Sequence, residues 1–72
     1  MSVDTSLSVR INGEERRLAS GTSVAALMAE LGLDARRIAV ERNLAIVPRS
    51  TFAEVEVEDG DQFEIVHFVG GG

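Results

Sequence analysis

Three consecutive glycines, Gly70-Gly71-Gly72, follow the apolar run Phe63-Glu64-Ile65-Val66-His67-Phe68-Val69 and close the sequence. Glycine has no Cβ, so such a tail can enter a narrow slot and take backbone angles closed to other residues. Three extended residues reach roughly 10 Å, at about 3.5 Å each. That reach can deliver one group, the carboxylate of Gly72, into the active site of another protein. A glycine-rich end read alone also fits a frayed terminus or a cloning remnant, because chain ends are commonly loose.

No other stretch offers a reactive constellation. The sequence has no cysteine and a single histidine, His67, which leaves no thiolate or histidine cluster for a metal. His67 could move a proton, but with no second histidine, no cysteine and no evident carboxylate partner for it, a structural place near a strand end is expected. Glu58-Asp59-Gly60-Asp61 is an acidic turn that supplies only part of a calcium-loop pattern. No nucleophile has a base beside it. No glycine-rich loop joins a strand to a helix to cradle phosphate. A small domain of this kind is expected to be a substrate or carrier for other enzymes.

Composition narrows the partners. Seventy-two residues make one domain. Residues 70–72 read as a flexible tail. The net charge of −5 disfavours nucleic acid and favours basic protein surfaces. Apolar runs are only a few residues long, so no membrane span is expected. The N-terminus lacks a signal-peptide pattern, and a cytoplasmic location is expected. All seven basic residues are arginine, so copies cannot be chained through lysine.

The elements that must position the tail are legible in order. Leu7-Ser8-Val9-Arg10-Ile11 alternates with the period of a half-buried strand. Asn12-Gly13 is a strong hairpin signal, and residues 14–18 form the return strand, with Glu15 and Arg17 on its outer face. Thr22 or Ser23 can cap a helix. Val24, Leu27, Met28 and Leu31 then make one apolar stripe, and Gly32 stops a helix of about ten residues. Ile38-Ala39-Val40 reads as a third strand, Glu41-Arg42-Asn43 as a turn and Leu44-Ala45-Ile46-Val47 as a short fourth strand ended by Pro48. Residues 49–54 are irregular, with Phe52 anchoring them in the core. Val55-Glu56-Val57 is extended, and residues 62–69 form the last strand.

One helix with four or five strands implies a sheet covered on one face only. The order is that of an α+β, β-grasp (ubiquitin-like) roll, with a mixed sheet whose first and last strands are central neighbours. Period two assigns the last strand's faces. Phe63 and Ile65 face the helix. Val66 and Phe68 then lie on the open face beside the tail, where clustered apolar groups mark a partner surface unless a loop covers them.

The sequence resembles the ThiS family, the sulfur carrier proteins of thiamine biosynthesis. The resemblance rests on Asn43 with Ile46-Val47-Pro48-Arg49, on Asp59-Gly60-Asp61, on Ile65-Val66 and on Val69-Gly70-Gly71-Gly72. Gly21-Thr22-Ser23-Val24 with Leu27 also fits, and the resemblance runs from about Leu7 to Gly72, which leaves residues 1–6 as a short N-terminal extension. Many relatives carry tryptophan where this chain has Phe52. The resemblance implies that Gly72 carries the reactive carboxylate, with Gly70 and Gly71 as a leash inserted into partner active sites. Val66, Phe68 and Arg49 are the implied docking residues, although Arg49 also fits a solvated arginine. It further implies a ThiF-type adenylyltransferase using ATP and Mg²⁺, a persulfide sulfur donor and a ThiG-type thiazole synthase. The chain itself would hold no cofactor or metal and would not be an enzyme. The same tail would serve a MoaD-like carrier for molybdopterin synthesis or a ubiquitin-like protein modifier, and it would be idle in a plain β-grasp interaction module.

Overall fold

The computed structural model describes residues 6–68. The glycines Gly70, Gly71 and Gly72, and most of the N-terminal extension, lie outside the described residues. Strand β1 spans Ser6–Ile11 and β2 Glu14–Ala19, followed by helix α1, Val24–Glu30. A 3₁₀ turn, Ala35–Arg37, leads into β3, Ile38–Arg42, and β4, Ala45–Ile46; a second 3₁₀ turn, Arg49–Thr51, precedes β5, Gln62–His67. The sheet order is β2-β1-β5-β3-β4. β1 and β5 run parallel at the centre, and the remaining neighbours are antiparallel. This is the expected β-grasp order, with five strands.

Alternation builds the core. Val9, Leu18, Ile38, Val40, Phe63 and Ile65 point from the strands to the helix side. Val24, Leu27 and Met28 meet them from α1, and Phe52 and Val57 close the layer from the long connection before β5. Met28 is therefore core, as its spacing indicated, and Phe52 is the buried anchor of its segment.

Local chemistry fixes the helix ends. Ser23 is the cap: its hydroxyl accepts from the Ala26 N–H at 3.0 Å. The Thr22 hydroxyl instead donates to the Ala19 carbonyl at 2.7 Å. At the other end Gly32 takes φ 74. The Leu33 N–H reaches back to the Met28 carbonyl and the Gly32 N–H to that of Ala29, the pairing of a Schellman stop. The helix is seven residues long, shorter than its apolar stripe suggested, because Leu31 occupies the cap rather than the last turn.

Both hairpins place two residues at positive φ, as a type I′ turn requires. Asn12 and Gly13 have φ 51 and 86, and Asn43 and Leu44 have φ 51 and 73. The second turn corrects the sequence expectation. β3 runs on through Arg42, Leu44 belongs to the turn, and β4 holds two residues only. Leucine in the left-handed region costs about 1–2 kcal/mol.

Candidate functional site

β5 carries the chain toward the glycine stretch, and its faces fall as period two requires. Phe63 and Ile65 are buried, while Val66 and Phe68 are exposed at 59% and 56%. Among the described residues no loop covers them. Ala39 lies opposite Val66, and Glu41 lies opposite both Glu64 and Ile46. Ile46 therefore shares the open face with Val66. With Phe68 and with Leu44 in the adjoining turn, these are the exposed large apolar side chains among the described residues. Sequence reading identified Val66 and Phe68 but missed Leu44 and Ile46. The pairing register, which local periodicity does not report, supplies the signal for Ile46.

Arg49 bonds the turn next to the end of β5. Its Nε donates to the Ala35 carbonyl at 2.8 Å and its guanidinium to the Arg36 carbonyl at 3.4 Å. The same turn, through the Arg37 carbonyl, accepts the Phe68 N–H at 2.9 Å. Arg49 thus braces the turn that holds the end of β5. Asp34 caps that turn by accepting from the Arg36 N–H at 2.9 Å. The side-chain hydrogen bond from Arg36 holds the Asp34 carboxyl below its ordinary range.

The start of β5 is locked by polar groups that local sequence patterns mark only as turn residues. Asp61 is 5% exposed. Its carboxylate accepts from Arg42 Nε at 2.8 Å, from the Glu58 N–H at 2.8 Å and from Asn43 Nδ2 at 3.1 Å. Arg42 also pairs with Glu58 at 3.2 Å. Asn43 accepts from the Gln62 N–H at 3.0 Å. On the opposite flank Asn12 behaves as an added strand residue: its side chain accepts from the Ile65 N–H at 2.8 Å and donates to the Ile65 carbonyl at 3.2 Å. β5 is gripped from both sides up to Ile65. Beyond it, the pairing shown is with β3.

His67 is exposed at the strand end. Among the described residues no group of three or more His, Cys, Asp or Glu side chains could hold a metal ion, and no helix is long and apolar enough to cross a membrane. What the arrangement offers is a rigid strand aimed at the glycines and an apolar, acid-flanked face beside it.

Comparison with known proteins agrees with that arrangement. A segment of a thiazole synthase from Paramagnetospirillum magneticum is 60% identical over 62 residues, covering 86% of this chain and 19% of that protein. A thiazole synthase from Magnetococcus marinus is 41% identical over 66 residues, again with 20% of its length matched. The chain therefore spans about a fifth of these relatives. The sulfur carrier protein ThiS of Bacillus subtilis is 38% identical over 65 residues, which cover 89% of this chain and 98% of that one. The crystal structure of a thiamine biosynthesis protein, ThiS, from Geobacter metallireducens superimposes with a TM-score of 0.79 at 30% identity, covering 92% of this chain and all of that one. The ThiS family model matches residues 9–72, from the first core valine to the last glycine, and the chain belongs to the ThiS family.

Proposed function

We propose that this chain is a sulfur carrier for thiamine biosynthesis and that the sulfur rides on the carboxyl group of Gly72. The observation that carries the reading is the family match through residue 72, which includes the glycine stretch with the fold. A carboxylate is a poor acyl donor because its leaving group is oxide. A ThiF-type adenylyltransferase removes that obstacle with ATP and Mg²⁺. The Gly72 carboxylate attacks the α-phosphorus, pyrophosphate leaves, and an acyl-adenylate results. The terminal sulfur of a cysteine persulfide on a partner then attacks the carbonyl carbon and AMP departs. A second thiol cleaves the resulting disulfide, forming a disulfide with the partner cysteine and releasing Gly72 as a thiocarboxylate. A ThiG-type thiazole synthase accepts the sulfur.

In this reading Gly70 and Gly71 thread the partner's slot, and Val66 and Phe68 dock beside it. Arg49 acts indirectly, by bracing the turn behind Phe68. The chain binds no cofactor of its own and works in the cytoplasm, where ATP is supplied. The thiazole synthase relatives support a thiamine acceptor over a molybdopterin one.

Intact-protein mass spectrometry tests the reading. After incubation with ATP, Mg²⁺, a ThiF-type enzyme and a persulfide source, the mass should rise by the exchange of one oxygen for one sulfur, mapped to Gly72. An unchanged mass with a demonstrably active enzyme would refute it.

A further inference from the structure

The turn between β3 and β4 carries a cost that the fold does not require. Leu44 stands at φ 73, where glycine would be unstrained. It is also 91% exposed, so it contributes nothing to the core. The turn is nevertheless fixed: Asn43 is tied through its side chain to Asp61 and Gln62, and through its backbone N–H to the Gln62 carbonyl. An apolar side chain held outward on a fixed turn loses little freedom when a partner buries it, which suits a binding anchor.

Leu44 is continuous with other exposed apolar groups. Ile46, Val66 and Phe68 extend the patch along the open face. It runs from the start of β5 to its end, roughly 20 Å at about 3.3 Å per residue. Within it Glu41 and Glu64 stand directly opposite each other, and among the described residues the ion pairs involve neither. Beside Leu44 a cavity of about 380 Å³ is lined by Arg10, Gln62 and Glu64, among others.

We propose that Leu44 is the principal anchor of a docking surface for a thiazole synthase. The synthase supplies an apolar socket for Leu44 and Ile46 and an arginine or lysine facing Glu41 and Glu64. This rests on the reading above that the chain serves such a synthase. Two observations select the occupant. In a relative 60% identical over its matched segment, that segment is 19% of a thiazole synthase, so carrier domain and synthase body are parts of one protein there. The net charge of −5 and the facing carboxylates oppose a second copy of this chain and favour a basic surface.

The test compares wild type, Leu44→Gly, Leu44→Asn and Leu44→Met in melting, in affinity for the purified thiazole synthase and for the adenylyltransferase of the same organism, and in sulfur transfer to the synthase. Leu44→Gly should melt higher by roughly 5 °C, because strain is relieved, yet bind the synthase about tenfold more weakly. KM for the carrier should rise with kcat unchanged. Leu44→Asn, which tolerates the turn, should bind as weakly as glycine, and Leu44→Met should keep most of the affinity. Unchanged affinity in Leu44→Gly overturns the anchor. A loss confined to the adenylyltransferase overturns the choice of occupant. A wild-type chain that never binds the synthase overturns both the anchor and the reading beneath it.

Discussion

Removing the Asp61 carboxylate should destabilise this domain more than its place in a turn suggests. The Asp61→Ala variant strips acceptors from Arg42 Nε, Asn43 Nδ2 and the Glu58 N–H, at 2.8, 3.1 and 2.8 Å. Breaking a fully buried pair costs about 3–5 kcal/mol. Arg42 is 23% exposed and keeps Glu58 at 3.2 Å, which lowers its share. The Glu58 N–H adds about 1–3 kcal/mol when left without an acceptor. A loss of about 3 kcal/mol follows, against a total stability of roughly 4–11 kcal/mol for a chain of this length. The melting temperature should fall by roughly 12–24 °C. The chain has no tryptophan or tyrosine, so far-UV circular dichroism is the probe for thermal and urea unfolding. A double-mutant cycle with Arg42→Met should return a coupling of about 1–3 kcal/mol. A loss below about 1 kcal/mol in Asp61→Ala, or no coupling to Arg42, would refute the idea that this network locks the start of β5.

Other substitutions probe the remaining parts. Gly71→Val should leave the melting temperature unchanged and stop thiocarboxylate formation, since a β-branched residue is excluded from glycine-only conformations and from a narrow slot; normal yield by mass spectrometry would count against the threaded tail. Asn12→Ala should lose about 2 kcal/mol in urea unfolding, from two hydrogen bonds to Ile65 and a left-handed position that asparagine tolerates better than alanine. Arg49→Ala should cost about 1 kcal/mol through the Ala35 and Arg36 carbonyls and speed amide exchange at Phe68, whose N–H bonds the same turn; unchanged exchange there would show that Arg49 does not brace the end of β5.

Local patterns carried most of the fold. The alternation in β1 and β5 and the helical spacing of Val24, Leu27 and Met28 each report a buried face, and those faces could meet in few ways. The helix cap was open because Thr22 and Ser23 are both capping types; the contact of Thr22 with Ala19 decides it. Leu44 was misplaced because a short apolar run has no period that separates strand from turn. The ties of Asn43 to Asp61 and Gln62 set the turn one residue later. Asp61 read as an ordinary turn residue because its burial depends on Arg42, 19 positions away. Asn12 was correctly a hairpin residue, but its second role depends on Ile65, 53 positions away. Nonlocal polar partners leave no periodic trace. Exposed apolar groups leave one only when the strand register is known.

The covered and open faces of the sheet follow different physical logic. On the helix side alternate strand positions are apolar and close-packed, and at its margin the buried Asp61 and the exposed Asn12 are both hydrogen-bonded. On the open side the chain keeps features that lower stability. Leu44 costs about 1–2 kcal/mol in backbone strain. Glu41 opposite Glu64 adds up to about 1 kcal/mol of like-charge repulsion. Ile46, Val66 and Phe68 gain little from folding. Together these forgo about 2 kcal/mol in a domain that has roughly 4–11 kcal/mol in all. Such losses persist where a surface serves something other than folding. Stabilising substitutions should therefore concentrate on this face and weaken partner binding as they accumulate. Substitutions in the helix-side core should lower stability and leave the docking surface chemically intact. If an open-face variant combining Leu44→Gly with Glu41→Thr gained stability and still bound its partners as wild type does, the division of labour between the two faces would not hold.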